Sequence, residues 1–290
     1  MALTPLDMTS AAPILRHDWL GACRRAAAAL QEIIAAATAR ADRTLETGTR
    51  GEGGDRTLVI DQEAEDAVFR ELEALHEAGA RFTAISEERG TVDFGDPDVL
   101  VVIDPIDGST NAKRGLPHAA LSVAVAEGST MADVVFGYVF DLGPGEEWYA
   151  VRGAGAFLDG EAVQPQPERR RPDGRLELVA VESARPRYLA QAAEPLEEHV
   201  HRIRAIGAIA VSLCQVAATR VDGMATLWKC RAVDAAAGQL IVRESGGLVA
   251  FGPLDDPLGA PLDLEPHRPV VAARSQDGLE RLSSLPVGED

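Results

Sequence analysis

Two aspartates, Asp104 and Asp107, lie three positions apart directly after an apolar run. The segment 103–111 reads Ile-Asp-Pro-Ile-Asp-Gly-Ser-Thr-Asn. Carboxylate oxygens held this closely are ligands for hard cations such as Mg²⁺, Mn²⁺ or Ca²⁺ rather than for zinc. The backbone N–H groups near Gly108 and Ser109 would face an anion, because small and cap-forming residues expose such groups at a turn. The pattern therefore predicts a metal site beside a phosphate site, although the same composition also occurs in solvated turns.

Two further segments place acidic side chains beside apolar runs. Residues 82–90 form a strand-like run that ends in Glu87 and Glu88. Residues 232–247 place Asp234 at the start of an apolar helix that closes on two glycines. From the residues alone, these acids are either additional metal ligands or solvated charges and helix caps.

Taken in order, the three segments resemble the inositol monophosphatase superfamily. The pattern of that family is a Glu-Glu pair, then Asp-Pro-Ile-Asp-Gly-Thr/Ser-Thr-Asn, then a distant Asp before Ala-Ala-Gly with a Glu-x-Gly-Gly end. The resemblance extends upstream to residues 54–65, which carry Asp61, and downstream to the segment 150–160, which is similar to a glycine-rich hairpin of the family. Five landmarks in the right order, over roughly residues 50–250, make the resemblance strong.

The resemblance implies a phosphatase that uses two or three Mg²⁺ ions, for which Mn²⁺ can substitute, and that Li⁺ inhibits. Bound ions lower the pKa of the attacking water and stabilise the leaving alkoxide, so no covalent nucleophile is required. Glu88 is expected to face solvent. The implied ligands are Glu87, Asp104 and the carbonyl of Ile106 for the first ion, and Asp104, Asp107 and Asp234 for the second.

The same resemblance assigns the remaining catalytic roles. Asp61 and the hydroxyl of Ser109 would orient the attacking water, and Glu87 would take part in catalysis through its ion. The N–H groups of Gly108 and Ser109 would hold the phosphate oxygens. Asp61 could equally be a plain N-cap of a helix over 61–78, whose apolar residues recur at helical spacing.

Departures from the family pattern leave the substrate open. Ala112 and Val233 stand where many members carry aromatic residues. Lys229 and Arg231 precede Asp234, where inositol-selective members tend to carry an acidic residue. These two cations and the Gly-Asp-Arg-Thr segment resemble the archaeal-type branch, which also hydrolyses fructose 1,6-bisphosphate.

We therefore expect Lys229 and Arg231 to reach the rim of the pocket and bind substrate, unless they are solvated charges or pair with nearby acids. The substrate is then inositol-1-phosphate or another small polyol or sugar phosphate, with fructose 1,6-bisphosphate as the alternative. A catalytically dead metal- or phosphate-binding regulatory protein is a third interpretation, which the presence of both Asp61 and Glu87 disfavours.

Strands that alternate with helices indicate an α/β protein. The resemblance further implies a five-layered αβαβα sandwich, formed by halves 1–165 and 176–290 that pack as one unit. Between the halves, residues 164–175 form a connection rich in proline and arginine. We predict helices at 14–41, 61–78, 188–199, 209–219 and 233–245, a mobile loop at 47–56, and strands at 121–126, 134–140, 148–152, 176–181, 202–206, 224–227 and 248–251.

The composition restricts partners and compartment. The net charge of −18 argues against nucleic-acid and anionic-membrane partners, which bind through clustered Lys and Arg. It also disfavours anionic substrates unless bound cations intervene. Three widely separated cysteines fit a reducing cytoplasm, and neither a signal peptide nor a membrane span is expected. The family resemblance implies a homodimer.

Overall fold

A computed structural model of the chain describes residues 12–37, 46–50 and 56–288. In these ranges the chain contains both α-helices and β-strands, as the sequence predicts. The helices are α1 (Trp19–Ala36), α2 (Val59–Glu77), α3 (Ser109–Arg114), α4 (Pro186–His199), α5 (Ile209–Ala217), α6 (Ala232–Glu244) and α7 (Gln276–Ser283).

The larger sheet has eight strands in the order β10-β9-β8-β7-β6-β5-β3-β4. Only the pair β3 and β5 is parallel within it; the other neighbours are antiparallel. Its strands are β3 (Thr83–Ser86), β4 (Gly90–Asp93), β5 (Val99–Asp107), β6 (Ala120–Glu127), β7 (Val134–Asp141), β8 (Glu146–Val151), β9 (Gly155–Leu158) and β10 (Glu161–Ala162).

The smaller sheet has five strands in the order β12-β11-β13-β15-β14. Strand β11 is parallel to both of its neighbours, and the remaining pairs are antiparallel. These strands are β11 (Val179–Glu182), β12 (Ile203–Arg204), β13 (Gly223–Thr226), β14 (Leu248–Phe251) and β15 (Val270–Ala273). A separate antiparallel pair consists of β1 (Glu46–Arg50) and β2 (Arg56–Leu58).

Three hydrophobic cores join these elements into five layers. Helices α1 and α2 cover one face of the larger sheet, and α5 and α6 fill the space between the two sheets. Helices α4 and α7 cover the outer face of the smaller sheet. The order is therefore helix, sheet, helix, sheet, helix, which confirms the predicted αβαβα sandwich.

The first five residues of β5, 99–103, are all apolar because other elements cover both faces of the strand. Val101 and Ile103 pack with α1 and α2, whereas Leu100 and Val102 pack with α5 and α6. A strand covered on both faces reads as a continuous hydrophobic run. The first acidic residue after this run, Asp104, is therefore buried as well, with 3% of its surface exposed.

Several element bounds differ from the prediction. The helix predicted at 14–41 divides into a 3₁₀ turn, Pro13–Arg16, and α1, whose N-cap Asp18 accepts a hydrogen bond from the Gly21 N–H; residues 38–41 lie outside the described ranges. The loop predicted at 47–56 contains most of β1 and the first residue of β2. Residues 51–55 of this segment also lie outside the described ranges. The strand predicted at 202–206 contains only two ladder residues.

The connection 164–175 lies between the two sheets along the chain, since β10 ends at Ala162 and β11 begins at Val179. The division into halves 1–165 and 176–290 stays a prediction. Over the described part of the chain, no helix has both the length and the apolar character needed to cross a membrane.

Candidate active site

An acidic cleft opens at the ends of the neighbouring strands β3 and β5, where the parallel pair directs both chain ends toward the same edge. Open α/β sheets place their ligands at this edge. Predicted site residues from three separate segments meet here. The cleft is lined by Asp61, Glu87, Glu88, Asp104, Pro105, Ile106, Ser109 and Lys113.

The two aspartates of the 103–111 segment share one side of β5 because the strand is irregular between them. Residues an odd number of positions apart point to opposite faces of a regular strand. In this strand, Asp104 pairs with Ser122 and Asp107 with Ala120, so three steps on β5 match two on β6. This β-bulge changes the alternation of side chains and brings both carboxylates to the same place.

Asp234, the third residue of α6, completes a cluster with these two aspartates. One carboxylate oxygen from each of the three residues lies within 4.8 Å of the others, and all three residues are buried. Two ligands of one ion can be separated by at most twice the metal–oxygen distance, which is roughly 4 Å for Mg²⁺ and 5 Å for Ca²⁺. An all-carboxylate donor set of this size fits a hard divalent cation.

Backbone groups orient the two aspartates on β5. Asp104 Oδ1 accepts a hydrogen bond from the Ile106 N–H at 2.9 Å. Asp107 accepts two bonds from the first turn of α5, from the Ile209 N–H at 3.2 Å and the Ala210 N–H at 2.7 Å. The N-terminus of a helix favours an anion, so these two α5 hydrogen bonds favour the ionised form of Asp107.

The start of α5 is itself fixed by the buried Glu182 at the end of β11. Its carboxylate accepts hydrogen bonds from the N–H groups of Ile206 and Gly207, both at 2.9 Å, and from the Ser212 hydroxyl at 2.7 Å. The smaller sheet therefore positions a carboxylate that belongs to the larger one. Sequence reasoning did not identify this contact.

Burial and mutual repulsion raise the pKa values of several carboxyl groups in the cleft. Burial is the largest cause that raises the pKa of Asp104 well above 3.8, followed by the negative charges of Glu87, Asp107 and Asp234. Burial and the charge of Asp234 raise the pKa of Asp107, against the α5 hydrogen bonds that lower it. Burial likewise raises the pKa of Glu87, against the attraction of Arg231. A bound cation would relieve this repulsion.

The family model of the inositol monophosphatase family matches residues 16–284. The chain belongs to the inositol monophosphatase family. This identification confirms the predicted family and the predicted class of enzyme, a phosphoric monoester hydrolase; the family is metal-dependent, and the three-aspartate cluster fits that requirement.

Relatives in this family agree with the archaeal-type branch. A fructose-1,6-bisphosphatase/inositol-1-monophosphatase from Thermococcus kodakarensis is 36% identical over 200 residues, covering 68% of this chain and 70% of that protein. An inositol-1-monophosphatase from Mesorhizobium japonicum is 33% identical over 210 residues, covering 68% and 72%. The crystal structure of an inositol monophosphatase-fructose 1,6-bisphosphatase matches with a TM-score of 0.77 at 25% identity, covering 92% and 98%.

The residues predicted to orient the water and to bind the phosphate lie beside the acidic cluster. Asp61 is the third residue of α2 and lines the cleft with 9% of its surface exposed. Ser109 opens α3, and Gly108 precedes it in the left-handed conformation with φ 83°. A Cβ at Gly108 would lie 3.0 Å from the carbonyl oxygens of His118 and Gly207, so glycine is required by both conformation and space.

Glu87 is held at the cleft by contacts on both sides. The buried Glu65 of α2 accepts hydrogen bonds from the Ser86 hydroxyl and, at 3.1 Å, from the Arg89 N–H, which fixes the turn that carries Glu87. On the other side, Arg231 Nη1 donates to Glu87 Oε1 at 2.6 Å. The role of Glu65 could be suspected only from its place four residues after Asp61.

Four residues near the cleft differ from the expectation. Glu88, which was expected to face solvent, is half-buried and lines the cleft. Lys113, one of two lysines in the chain, lines the cleft and was not predicted to do so. Lys229 is exposed and is not among the described residues that line the cleft. Arg231 is turned toward Glu87 and Asp234, which is the alternative of pairing with nearby acids.

Proposed function

We propose that the acidic cleft hydrolyses the phosphate monoester of a small polyol or sugar with the help of Mg²⁺. The observation that carries this proposal is the convergence of Asp104, Asp107 and Asp234 from β5 and α6 to within 4.8 Å. Such a cluster has little use in a metal-free protein, because it buries like charges together. Its position beside Ser109 and the Gly108 turn supports binding of a phosphate next to the ions.

Each group in the cleft has a distinct role in this proposal. Glu87 and the carbonyl of Ile106 would hold one ion, Asp107 and Asp234 another, and Asp104 both. Bound ions would acidify the attacking water, neutralise the phosphate and stabilise the leaving alkoxide. The chain itself would provide the geometry: Asp61 and the Ser109 hydroxyl would orient the water, and the N–H groups of Gly108 and Ser109 would bind phosphate oxygens.

Inositol-1-phosphate is the proposed substrate type, and fructose 1,6-bisphosphate is a second candidate. The relative from Thermococcus kodakarensis is named for both activities. A bisphosphate carries a second dianion that must be met away from the ions. Lys113 lines the cleft, and Lys229 follows β13 on the exposed surface, so these two cations are the proposed contacts for such a group. Arg231 would contribute only after leaving its present ion pairs.

The first prediction is that Asp104→Asn abolishes metal-dependent phosphate release. We expect a loss of several kcal/mol of transition-state stabilisation, or at least about a hundredfold in kcat/KM, because this position serves both ions. Phosphate release should be measured over a panel that contains inositol-1-phosphate and fructose 1,6-bisphosphate, with Mg²⁺, with Mn²⁺ and with EDTA. The control is Asp173→Asn, which removes an exposed carboxylate far along the chain from the cleft.

Near-wild-type turnover by a folded Asp104→Asn variant would remove the basis of the proposal. No hydrolysis of any substrate by the wild-type protein, with metal binding intact, would favour the regulatory interpretation. The same assay with millimolar LiCl tests the proposed Li⁺ sensitivity, which unchanged rates would contradict.

The proposed assembly is a homodimer in the cytoplasm. Its support is the family membership, together with the acidic composition and the three buried free cysteines. Sedimentation of the purified protein should give twice the monomer mass of 30.7 kDa, and a monomer at micromolar concentration would contradict the dimer.

A further inference from the structure

The guanidinium of Arg231 lies between two carboxylates that the proposed function assigns to different metal ions. Its Nη1 is 2.6 Å from Glu87 Oε1, and its Nη2 is 3.2 Å from Asp234 Oδ1. The backbone N–H of the same residue donates to Asp234 Oδ2 at 3.2 Å. One arginine therefore engages an oxygen of Glu87 and both oxygens of Asp234.

These contacts oppose metal binding in two ways. An oxygen lone pair that accepts a guanidinium N–H cannot be directed at a cation in the same place. A divalent ion at Glu87 would also meet the fixed positive charge of Arg231 at close range in a site with little water. The guanidinium is mostly buried, with 21% of its side chain exposed, so solvent screens this repulsion incompletely.

The same contacts stabilise the site when it holds no ion. Glu87, Asp104, Asp107 and Asp234 bring four negative charges together, and Arg231 is close enough to attract three of them. The partly exposed side of the guanidinium leaves it a way toward solvent or toward the phosphate of a bound substrate. We therefore expect Arg231 to leave these ion pairs without unfolding of the elements around it.

We propose that Arg231 is the resident counter-cation of the carboxylate cluster and competes with the ion at Glu87, which binds only as the guanidinium withdraws. This inference rests on the proposed metal site. The competing explanation is that Arg231 positions Glu87 for the ion. The two roles predict metal affinities that change in opposite directions when the side chain is removed.

The test is calorimetric titration of metal-free protein with Mn²⁺ alone, in buffer without phosphate. Arg231→Met removes the charge and keeps much of the length, and it should bind Mn²⁺ about tenfold more tightly, which corresponds to about 1.4 kcal/mol. Arg231→Lys retains the charge but loses the forked geometry, so a smaller gain is expected. The matched control is Arg24→Met. It breaks a different Arg–Glu ion pair, in which Arg24 Nη2 and Glu147 Oε2 are 2.7 Å apart, and it should leave the Mn²⁺ affinity unchanged.

Thermal unfolding in EDTA provides the second readout. Arg231→Met should melt below the wild type without metal and regain most of the difference when Mn²⁺ is added, whereas the Arg24→Met difference should not depend on metal. Equal or weaker Mn²⁺ binding by Arg231→Met overturns the inference, and if that variant does not fold, equal or weaker binding by Arg231→Lys overturns it. Failure of the wild-type protein to bind Mn²⁺ would instead overturn the proposed function itself.

Discussion

At the residue scale, the cleft buries several carboxylates, and neighbouring positive groups offset only part of the cost of burying their charge. Asp104 and Asp107 lie in the interior at the end of β5, and burial is the largest of the causes that raise the pKa of each well above 3.8. Arg231 attracts part of this charge, and the N–H groups of α5 attract another part. The remaining repulsion is what a divalent cation would remove, so the metal-free protein should retain a measurable electrostatic cost.

We predict that Asp104→Asn stabilises the metal-free protein and that this gain grows as the pH rises. Below pH 3.8 the Asp104 carboxyl is protonated in the folded and the unfolded chain alike, so the folded protein bears no cost from burying its charge. Above that value the unfolded chain ionises first, and stability is lost until the folded carboxyl ionises too. The asparagine variant cannot ionise and avoids this loss.

Urea unfolding of dialysed, metal-free wild type and variant between about pH 4 and pH 8 measures the difference. If the free energies of unfolding of the two proteins differ by the same amount at every pH, the pKa of Asp104 is not raised in the folded state. With saturating Mg²⁺ the order should reverse, because only the wild type can hold the bridging ion.

The sequence predicted much of this cleft: local spacing indicated Asp104 and Asp107, and the family resemblance indicated Asp61, Glu87 and Asp234. Asp104 and Asp107 are three positions apart on β5, so their proximity follows from the motif and from the β-bulge between them. The contact between Glu87 and Arg231 joins residues that are 144 positions apart, and no local pattern encodes it. Lys113 was overlooked for a related reason: its approach to the cleft depends on how the short helix α3 is placed.

At the element scale, the N-terminus of α5 is the part of the site that local motifs do not show. Ile209 and Ala210 are apolar residues with no chemical signature, and they act through their backbone N–H groups on Asp107. The segment before them is fixed by Glu182, whose three accepted hydrogen bonds join β11 to the helix start. A helix of the middle layer thus links the smaller sheet to a carboxylate of the larger one.

We predict that Ile209→Pro impairs the enzyme more than Ile209→Ala does. Proline at the first helical position fits α5, because the preceding Ala208 is already extended at φ −147° and ψ 115°. It removes only the N–H that donates to Asp107 Oδ1, and alanine reproduces the loss of the side chain while retaining that donor. The lost charge-assisted bond is worth roughly 1.5–3 kcal/mol, which is about ten- to a hundredfold in kcat/KM.

The measurement is phosphate release by both variants, together with their melting temperatures to confirm that each remains folded. Equal kinetics for the proline and alanine variants would show that the Ile209 N–H has no part in positioning Asp107.

Two elements that are buried on both faces match their predicted bounds closely. Strand β14 spans Leu248–Phe251, as its apolar run indicates, and α6 begins and ends within one residue of the prediction. Strand β15 was missed although it is as short as β14 and buried throughout, and the eight-residue helix α7 was missed as well. Both are held by packing of Leu279 and Leu282 on the smaller sheet, which is a tertiary property.

At the scale of the whole molecule, the proposed ligands come from elements that meet only when the layers are assembled. Asp104 and Asp107 belong to the eight-stranded sheet, whereas Asp234 belongs to α6, which packs between both sheets. An unfolded chain therefore has no preformed site, and an ion that binds the cluster binds the folded state alone. Metal binding and global stability are then linked quantities.

The final prediction is that Mg²⁺ raises the melting temperature of the intact protein through this cluster. At a hundredfold excess over the dissociation constant, a single site that exists only in the folded state adds about 2.7 kcal/mol. For a chain of 290 residues this corresponds to an increase of about 4 °C. The shift should be clearly smaller in Asp234→Asn, because the ion that Asp234 would hold is lost; the asparagine side-chain oxygen can still accept the Arg231 N–H but carries no charge for an ion. Differential scanning calorimetry with Mg²⁺ and with EDTA measures both proteins. Because the chain carries a net charge of −18, ions could also bind diffusely at its surface, and an equal shift in Asp234→Asn would assign the stabilisation to that surface instead of to the cleft.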